Sequence, residues 1–279
     1  RDRRRHGRRR ARHPMSFGRA TSVHSSDGRT WTGAIEPDWD IFENANGGYM
    51  MAIAARAMSG AADDRLPVSV TAHFTRPGKA GPVFIATEVV RAGRTFSTVR
   101  ADLSSDAGVV LAMLGTFAEA GRSPGDTLLV DSEIPDVPPP DDCVPALPAV
   151  DGPLPPPLMG KVEERIHPDD AGALLGKPTG HPRMRGWIRL RDGEAMTPFA
   201  LLLVADAFPP AIFNTSLPLA WTPTLEMTTH VRATQVEGWL RCQFTTRFVS
   251  GGFLEEDGEI WDESGRLVAQ SRQIALIPR

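Results

Sequence analysis

The apolar positions of the first half of the chain define a helix followed by strands. Thr30–Glu36 reads as a short strand. The segment from Gly47 and Gly48 through Tyr49, Met50 and Met51 to Met58 is almost wholly apolar, rich in Ala and Met, and opens on a glycine pair. It predicts a buried helix. Four strand-like stretches follow, Pro67–Arg76, Pro82–Arg91, Thr95–Leu103 and Val109–Ala118, with glycine-containing turns between them. A buried helix followed by a run of antiparallel strands predicts a sheet wrapped around that helix.

The second half repeats the order. A strand at Arg183–Arg191 precedes an apolar helix at Thr197–Phe208, and strands follow at Thr224–Ala233, Gly238–Val249, Phe253–Trp261 and Leu267–Ile277. At a constant offset of 157, His73 falls on His230, Phe96 on Phe253, Gly108 on Gly265 and Ala112 on Ala269. Val68, Val70, Ala72 and Phe74 alternate with Ser69, Thr71 and His73, and Leu225, Met227, Thr229 and Val231 alternate with Glu226, Thr228 and His230 in the same register. One face of each strand is therefore mainly apolar. The pattern predicts two diverged copies of one α+β unit.

Composition changes this picture at two places. Ten of the 25 prolines lie between Ile134 and Leu158, a density that forbids a helix or an inner strand and predicts an extended linker. The expected layout is a basic disordered tail at 1–29, a first unit at 30–119, a linker at 120–182 and a second unit at 183–279. Residues 1 to 14 carry eight arginines and one aspartate, a local +7 against −3 for the whole chain, which leaves −10 for the body. A basic arm can hold nucleic acid, but this one has neither aromatics nor apolar periodicity, and the body is acidic. The first methionine is Met15, so the run reads as an over-extended gene start or a tail, and no nucleic-acid partner is expected. The longest apolar run, from Phe199 towards Phe208, is broken by Asp206, so no membrane span is expected. No secretory signal is expected either. Cys143 and Cys242 lie outside any CxxC, the seven histidines are scattered, and the expectation is free thiols in a reducing compartment with no metal.

Asp206 is the outstanding chemical candidate. A carboxylate in a helix that is apolar all round costs several kcal/mol unless it is hydrogen-bonded or protonated. Burial raises its pKa, which suits a general base. It stands near the helix C-terminus, just before Pro209 and Pro210, where the dipole disfavours negative charge. Gln273 shares a small, apolar strand face with Leu267, Ala269, Ser271, Ala275 and Ile277, and its amide must find partners there. Its counterpart at the constant offset is Thr116. Thr224 opens a strand after Pro223 and gains interest only from the other two. Gly47 and Gly48 start a helix whose free N–H groups could hold an anion or a developing oxyanion; making the turn is the simpler role. There is no GxGxxG and no GxSxG, and His73 and His230 read as packing or surface residues.

The segments Asn46–Tyr49, Ser69–Pro77 and Gly265–Gln273 are similar to the type II acyl-CoA thioesterase family, and a duplicated helix-in-sheet unit resembles its double hotdog fold. The likeness covers roughly 30–119 and 183–279. That family holds an attacking water with an Asp, a Thr and a Gln of its second hotdog, and by position these fall on Asp206, Thr224 and Gln273. The segment Phe208–Thr222 looks shorter than in the well-known bacterial members. The resemblance implies hydrolysis of an acyl-CoA thioester without a cofactor, in a cytoplasmic homodimer. Asp206 would serve as base, and the N–H groups of Gly48 and Tyr49, beside Gly47, would polarise the thioester carbonyl. The rival readings are an acyl-CoA hydratase or dehydratase and a silent acyl-CoA-binding protein on the same fold.

Overall fold

The structure, a computed structural model, describes residues 16–119, 130–146 and 156–278. The basic run Arg1–Pro14 lies outside them. In the first copy, β1 (Thr30–Ile35) leads to helix α1 (Gly47–Ala61) and then to β2 (Leu66–Phe74), β3 (Gly81–Ala92), β4 (Phe96–Ser105) and β5 (Gly108–Ala118). In the second copy, β6 (Val162–Ile166) and β7 (Arg183–Leu190) precede helix α2 (Pro198–Val204). Then come β8 (Thr224–Val231), β9 (Leu240–Thr245), β10 (Phe253–Asp262) and β11 (Leu267–Leu276).

Period-two burial builds the strands. Ser97, Val99, Ala101 and Leu103 of β4 and Leu111, Met113, Gly115 and Phe117 of β5 face inward, and their neighbours face out. Helix α1 is buried from Gly48 to Ala55, as a sequence apolar on every side requires. The Asn46 side chain caps it, accepting the Tyr49 N–H at 2.8 Å.

All these strands join one antiparallel sheet in the order β1-β3-β4-β5-β2-β8-β11-β10-β9-β7-β6. The halves meet where β2 pairs with β8, and there Thr71 lies opposite Thr228. These residues differ by the repeat offset of 157, and their hydroxyls meet at 2.9 Å. A pseudo-two-fold axis therefore passes between them. Helices α1 and α2 pack on each other, with α1 against β2, β3, β4 and β5 and α2 against β8 and β2. Two sheets, each laid over one helix and fused edge to edge, form the α+β double hotdog that the sequence resemblance implies.

Four expectations change. Helix α2 stops at Val204, short of Phe208. Pro209 and Pro210 lack N–H donors, and the chain before them tightens into bonds from Asp206 N to Leu203 O and from Ala207 N to Val204 O. Val68 is 43% exposed, off the expected apolar face, because β2 bulges between Pro67 and Ser69. β8 bulges at the equivalent place, between Thr224 and Glu226. The 120–182 segment holds β6, which pairs along β7, because Val162, Glu164 and Ile166 give it one inward face. Within the expected tail, Phe17 and Ala20 are buried, with the Phe17 ring edge-on to Trp39 at 5.7 Å.

The constant offset also breaks in the last strand. Val99 pairs with Gly115 in the first copy, and Glu256 pairs with Gln273 in the second. Gln273 thus corresponds to Gly115, not to Thr116. The cause is the hairpin before it. Ser105 pairs with Gly108 across a two-residue turn, whereas Asp262 N reaches Arg266 O across Glu263, Ser264 and Gly265. Gly265 has φ +84, the left-handed conformation that a three-residue hairpin turn needs.

Candidate active site

The end of α2 faces the start of α1. Asp206 Oδ2 accepts the Gly48 N–H at 2.9 Å and the Asn46 Nδ2 at 2.9 Å. Asn46 Nδ2 also reaches the Asp206 carbonyl at 2.8 Å. The carboxylate thus ends an apolar helix of one copy and caps the N-terminus of the other copy's helix, whose dipole favours its charge. Burial outweighs that help and raises its pKa to about 6, with the N–H groups of Gly48 and Gly47 and the Asn46 amide opposing the rise.

The glycine pair makes this approach possible. A Cβ on Gly48 would lie 2.3 Å from Leu202 O, and one on Gly47 would lie 2.8 Å from Phe74 Cε1 and 2.9 Å from Asp206 Oδ2. The expected role of the next N–H groups changes accordingly. Gly48 N–H is bonded to Asp206 and Tyr49 N–H to Asn46, so neither is free to meet a substrate carbonyl. Tyr49 is fully buried, stacked on Trp39 at 4.9 Å, with its hydroxyl donating to Ala20 O and accepting from Glu36 N.

A second group of polar residues lies on neighbouring strands. Thr224 Oγ1 donates to Gln273 Oε1 at 2.7 Å. Gln273 Nε2 donates to Glu256 Oε1 at 2.8 Å, and the Ala211 N–H donates to Glu256 Oε2 at 2.6 Å. Glu256 is 4% exposed and Gln273 8%. Burial lifts the Glu256 pKa to about 7; Asp206 and Glu255 add to the rise, and the Ala211 and Gln273 donors oppose it.

Asp206, Thr224, Gln273, Glu256 and Gly47 all line one cavity of about 440 Å³. Much of its remaining wall is apolar, with Met50, Phe74, Phe208, Phe213, Phe244 and Leu254 among its residues. Leu219, Trp221 and Phe42 also line it and remain exposed, which marks its mouth. Phe42 comes from the first copy and Trp221 from the second, and their rings meet edge to face at 6.3 Å. Phe42 holds φ +57, an uncommon conformation for a bulky side chain.

Glu256 and Asn46 were not among the sequence candidates. The signal for Glu256 was its inward phase with Leu254, Gly258 and Ile260, where the first copy has Val99. Asn46 carried only the ordinary signature of a helix cap. His73 and His230 are exposed, and Cys143 and Cys242 are free and buried. Among the described residues, no group of His, Cys, Asp or Glu is arranged to hold a metal, and no helix is long and apolar enough to cross a membrane.

Comparison with known proteins gives matches over both copies. Residues 35–118 match the acyl-CoA thioesterase N-terminal domain, and residues 140–277 match the acyl-CoA thioesterase C-terminal domain. The structure is similar to that of a candidate thioesterase II from Thermobifida fusca YX, with a TM-score of 0.85, 32% identity, and coverage of 95% of this chain and 99% of that one. An acyl-CoA thioesterase II from Mycobacterium marinum shares the fold, with a TM-score of 0.71 at 20% identity over 94% of this chain and 98% of that one. An uncharacterised protein of Mycobacterium tuberculosis strain H37Rv is 27% identical over 277 residues, 90% of this chain and 91% of the relative.

Proposed function

The chain belongs to the acyl-CoA thioesterase family, and from that premise we propose that it hydrolyses acyl-CoA thioesters with Asp206 as the general base. The observation that carries this reading is a carboxylate with a pKa of about 6 on the wall of a largely apolar cavity that also holds Thr224 and Gln273. A base of that pKa is mostly ionised at neutral pH yet basic enough to take a proton from water.

The attacking water gives one hydrogen to Asp206 and one to the oxygen of Thr224. One lone pair accepts the second N–H of Gln273, and the other attacks the thioester carbonyl. The Thr224 oxygen is available as an acceptor because its own hydrogen goes to Gln273 Oε1. As the water oxygen bonds to the carbonyl carbon, Asp206 takes its proton. The tetrahedral intermediate collapses with cleavage of the carbon–sulfur bond, and Asp206 returns the proton to the departing thiolate. The products are the free acid and CoA, and Asp206 ends as it began. The acyl chain lies among Met50, Phe208, Phe213 and Phe244.

The test is release of free thiol from acyl-CoAs of graded chain length by the purified protein, followed with a thiol reagent. Thiol release is the expected result. A loss of enoyl-CoA absorbance without thiol would make the protein a hydratase instead, and binding without either change would make it a carrier.

A further inference from the structure

Between Ala211 and Thr224 runs a chain of hydrogen bonds whose direction is set at one end. The Ala211 N–H can only donate, so Glu256 Oε2 must accept. An ionised Glu256 can only accept through Oε1 as well. Gln273 must therefore turn its Nε2 towards Glu256 and its Oε1 towards Thr224, and Thr224 must donate. Protonation of Glu256 at Oε1 leaves the Ala211 link in place and reverses the two beyond it. The acid then donates to Gln273 Oε1, the amide turns over, and its N–H points at a Thr224 oxygen that now accepts.

We propose that Glu256 is a positioning residue that sets which way the Gln273 amide faces and thereby switches the Thr224 hydroxyl between accepting from and donating to the attacking water. This rests on the thioester-hydrolysis reading and deepens it. In the ionised state, water keeps a free lone pair for attack. In the protonated state the Gln273 N–H has turned away from the water, Thr224 donates in its place, and the water's second hydrogen loses Thr224 as its acceptor, which slows attack.

The repeat supports a role beyond packing, since the same place in the first copy is filled by Val99 opposite Gly115. Burial places the switch near neutrality, with Glu256 at about pH 7. The charges acting on Glu256 are those of Asp206 across the cavity and Glu255 beside it on β10, and both are negative. As the pH falls, Glu256 is the first of the cavity's two carboxylates to be protonated, before Asp206 at about 6.

The experiment has one arm that does not need turnover. The side-chain amide signals of Gln273, assigned by their loss in Gln273→Glu, are followed in ¹⁵N spectra between about pH 5 and 9. In the wild-type protein they are expected to move through the higher of two midpoints, and in Glu256→Gln that transition disappears. Signals that ignore pH in the wild type, or that keep the higher midpoint in Glu256→Gln, overturn the proposal. The second arm is kinetic. Glu256→Gln must offer its carbonyl to Ala211 and its NH₂ to Gln273, so it mimics the protonated acid at every pH. Its kcat is expected to fall about tenfold or more with KM little changed, leaving only the lower ionisation in the acid limb of kcat/KM. An acid limb identical to the wild type overturns the switch. Absence of wild-type thiol release refutes the hydrolase reading alone, since the spectra still decide the orientation of Gln273.

Discussion

Asp206 Oδ2 accepts the backbone N–H of Gly48 at 2.9 Å, and the two residues belong to different copies of the repeat. The helices do not share the strands' offset of 157: their N-caps are Asn46 and Thr197, 151 apart, which sets Asp206 against Ala55 in the last part of the first helix. In the strands, the pseudo-two-fold axis relates Pro67, Val99 and Gly115 of the first copy to Thr224, Glu256 and Gln273 of the second. Asp206 and Glu256, which line the cavity, thus both belong to the second copy, while the first copy supplies the helix N-terminus that holds Asp206.

That contact requires glycine. In Gly48→Ala the new Cβ would meet Leu202 O at 2.3 Å and Asp206 Cβ at 3.0 Å, so the two helices must separate. Stability is expected to fall by about 1–3 kcal/mol, together with activity, because overpacked interiors shift the backbone. Chemical denaturation measures the first and thiol release the second. An unchanged midpoint would show that the helices can part freely.

The buried carboxylates set a pH dependence of stability. Folding raises Asp206 from 3.8 to about 6 and Glu256 from 4.5 to about 7. A group raised on folding favours the folded state below its unfolded pKa, and that contribution is lost as pH rises through the folded pKa. Each displacement corresponds to on the order of 3 kcal/mol. The double variant Asp206→Asn, Glu256→Gln is therefore expected to gain on the wild type as pH rises from about 4 to about 8. Urea midpoints of the two proteins across that range measure it, and a constant difference would contradict the burial argument.

Phe42 stores backbone strain at the cavity mouth, and its ring meets Trp221 across the two copies. Phe42→Gly removes the strain and the contact together. Stability is expected to change by no more than about 1 kcal/mol, because relief of the left-handed φ offsets lost packing. KM is expected to rise several-fold for long acyl chains and little for short ones. Equal effects at all chain lengths would show that the two rings do not line the path of the acyl chain.

Much of this was legible in the chain. Asp206 stood out because a charge in an all-apolar helix needs a reason, and the period-two runs located nearly every strand. The register of the last strand was not legible, because one extra turn residue at Glu263–Gly265 slides it against its neighbours. A bulge likewise turned Val68 outward, since alternation assumes an unbroken ladder. Glu256 was missed because it occupies an inward strand position that the eye fills with an apolar residue, as Val99 does in the other copy. The bonds that occupy Gly48 N–H and Tyr49 N–H come from Asp206 and Asn46, and the pairing of two helices from different copies is a tertiary fact.

The most direct measurement is thiol release from acyl-CoA by Asp206→Asn beside the wild type. The variant keeps the shape of the carboxylate and loses its basicity. A fall in kcat of at least about a hundredfold, with KM within a few-fold and a melting temperature no lower than the wild type's, is the expected result for a general base. Turnover equal to the wild type would contradict the mechanism at its centre.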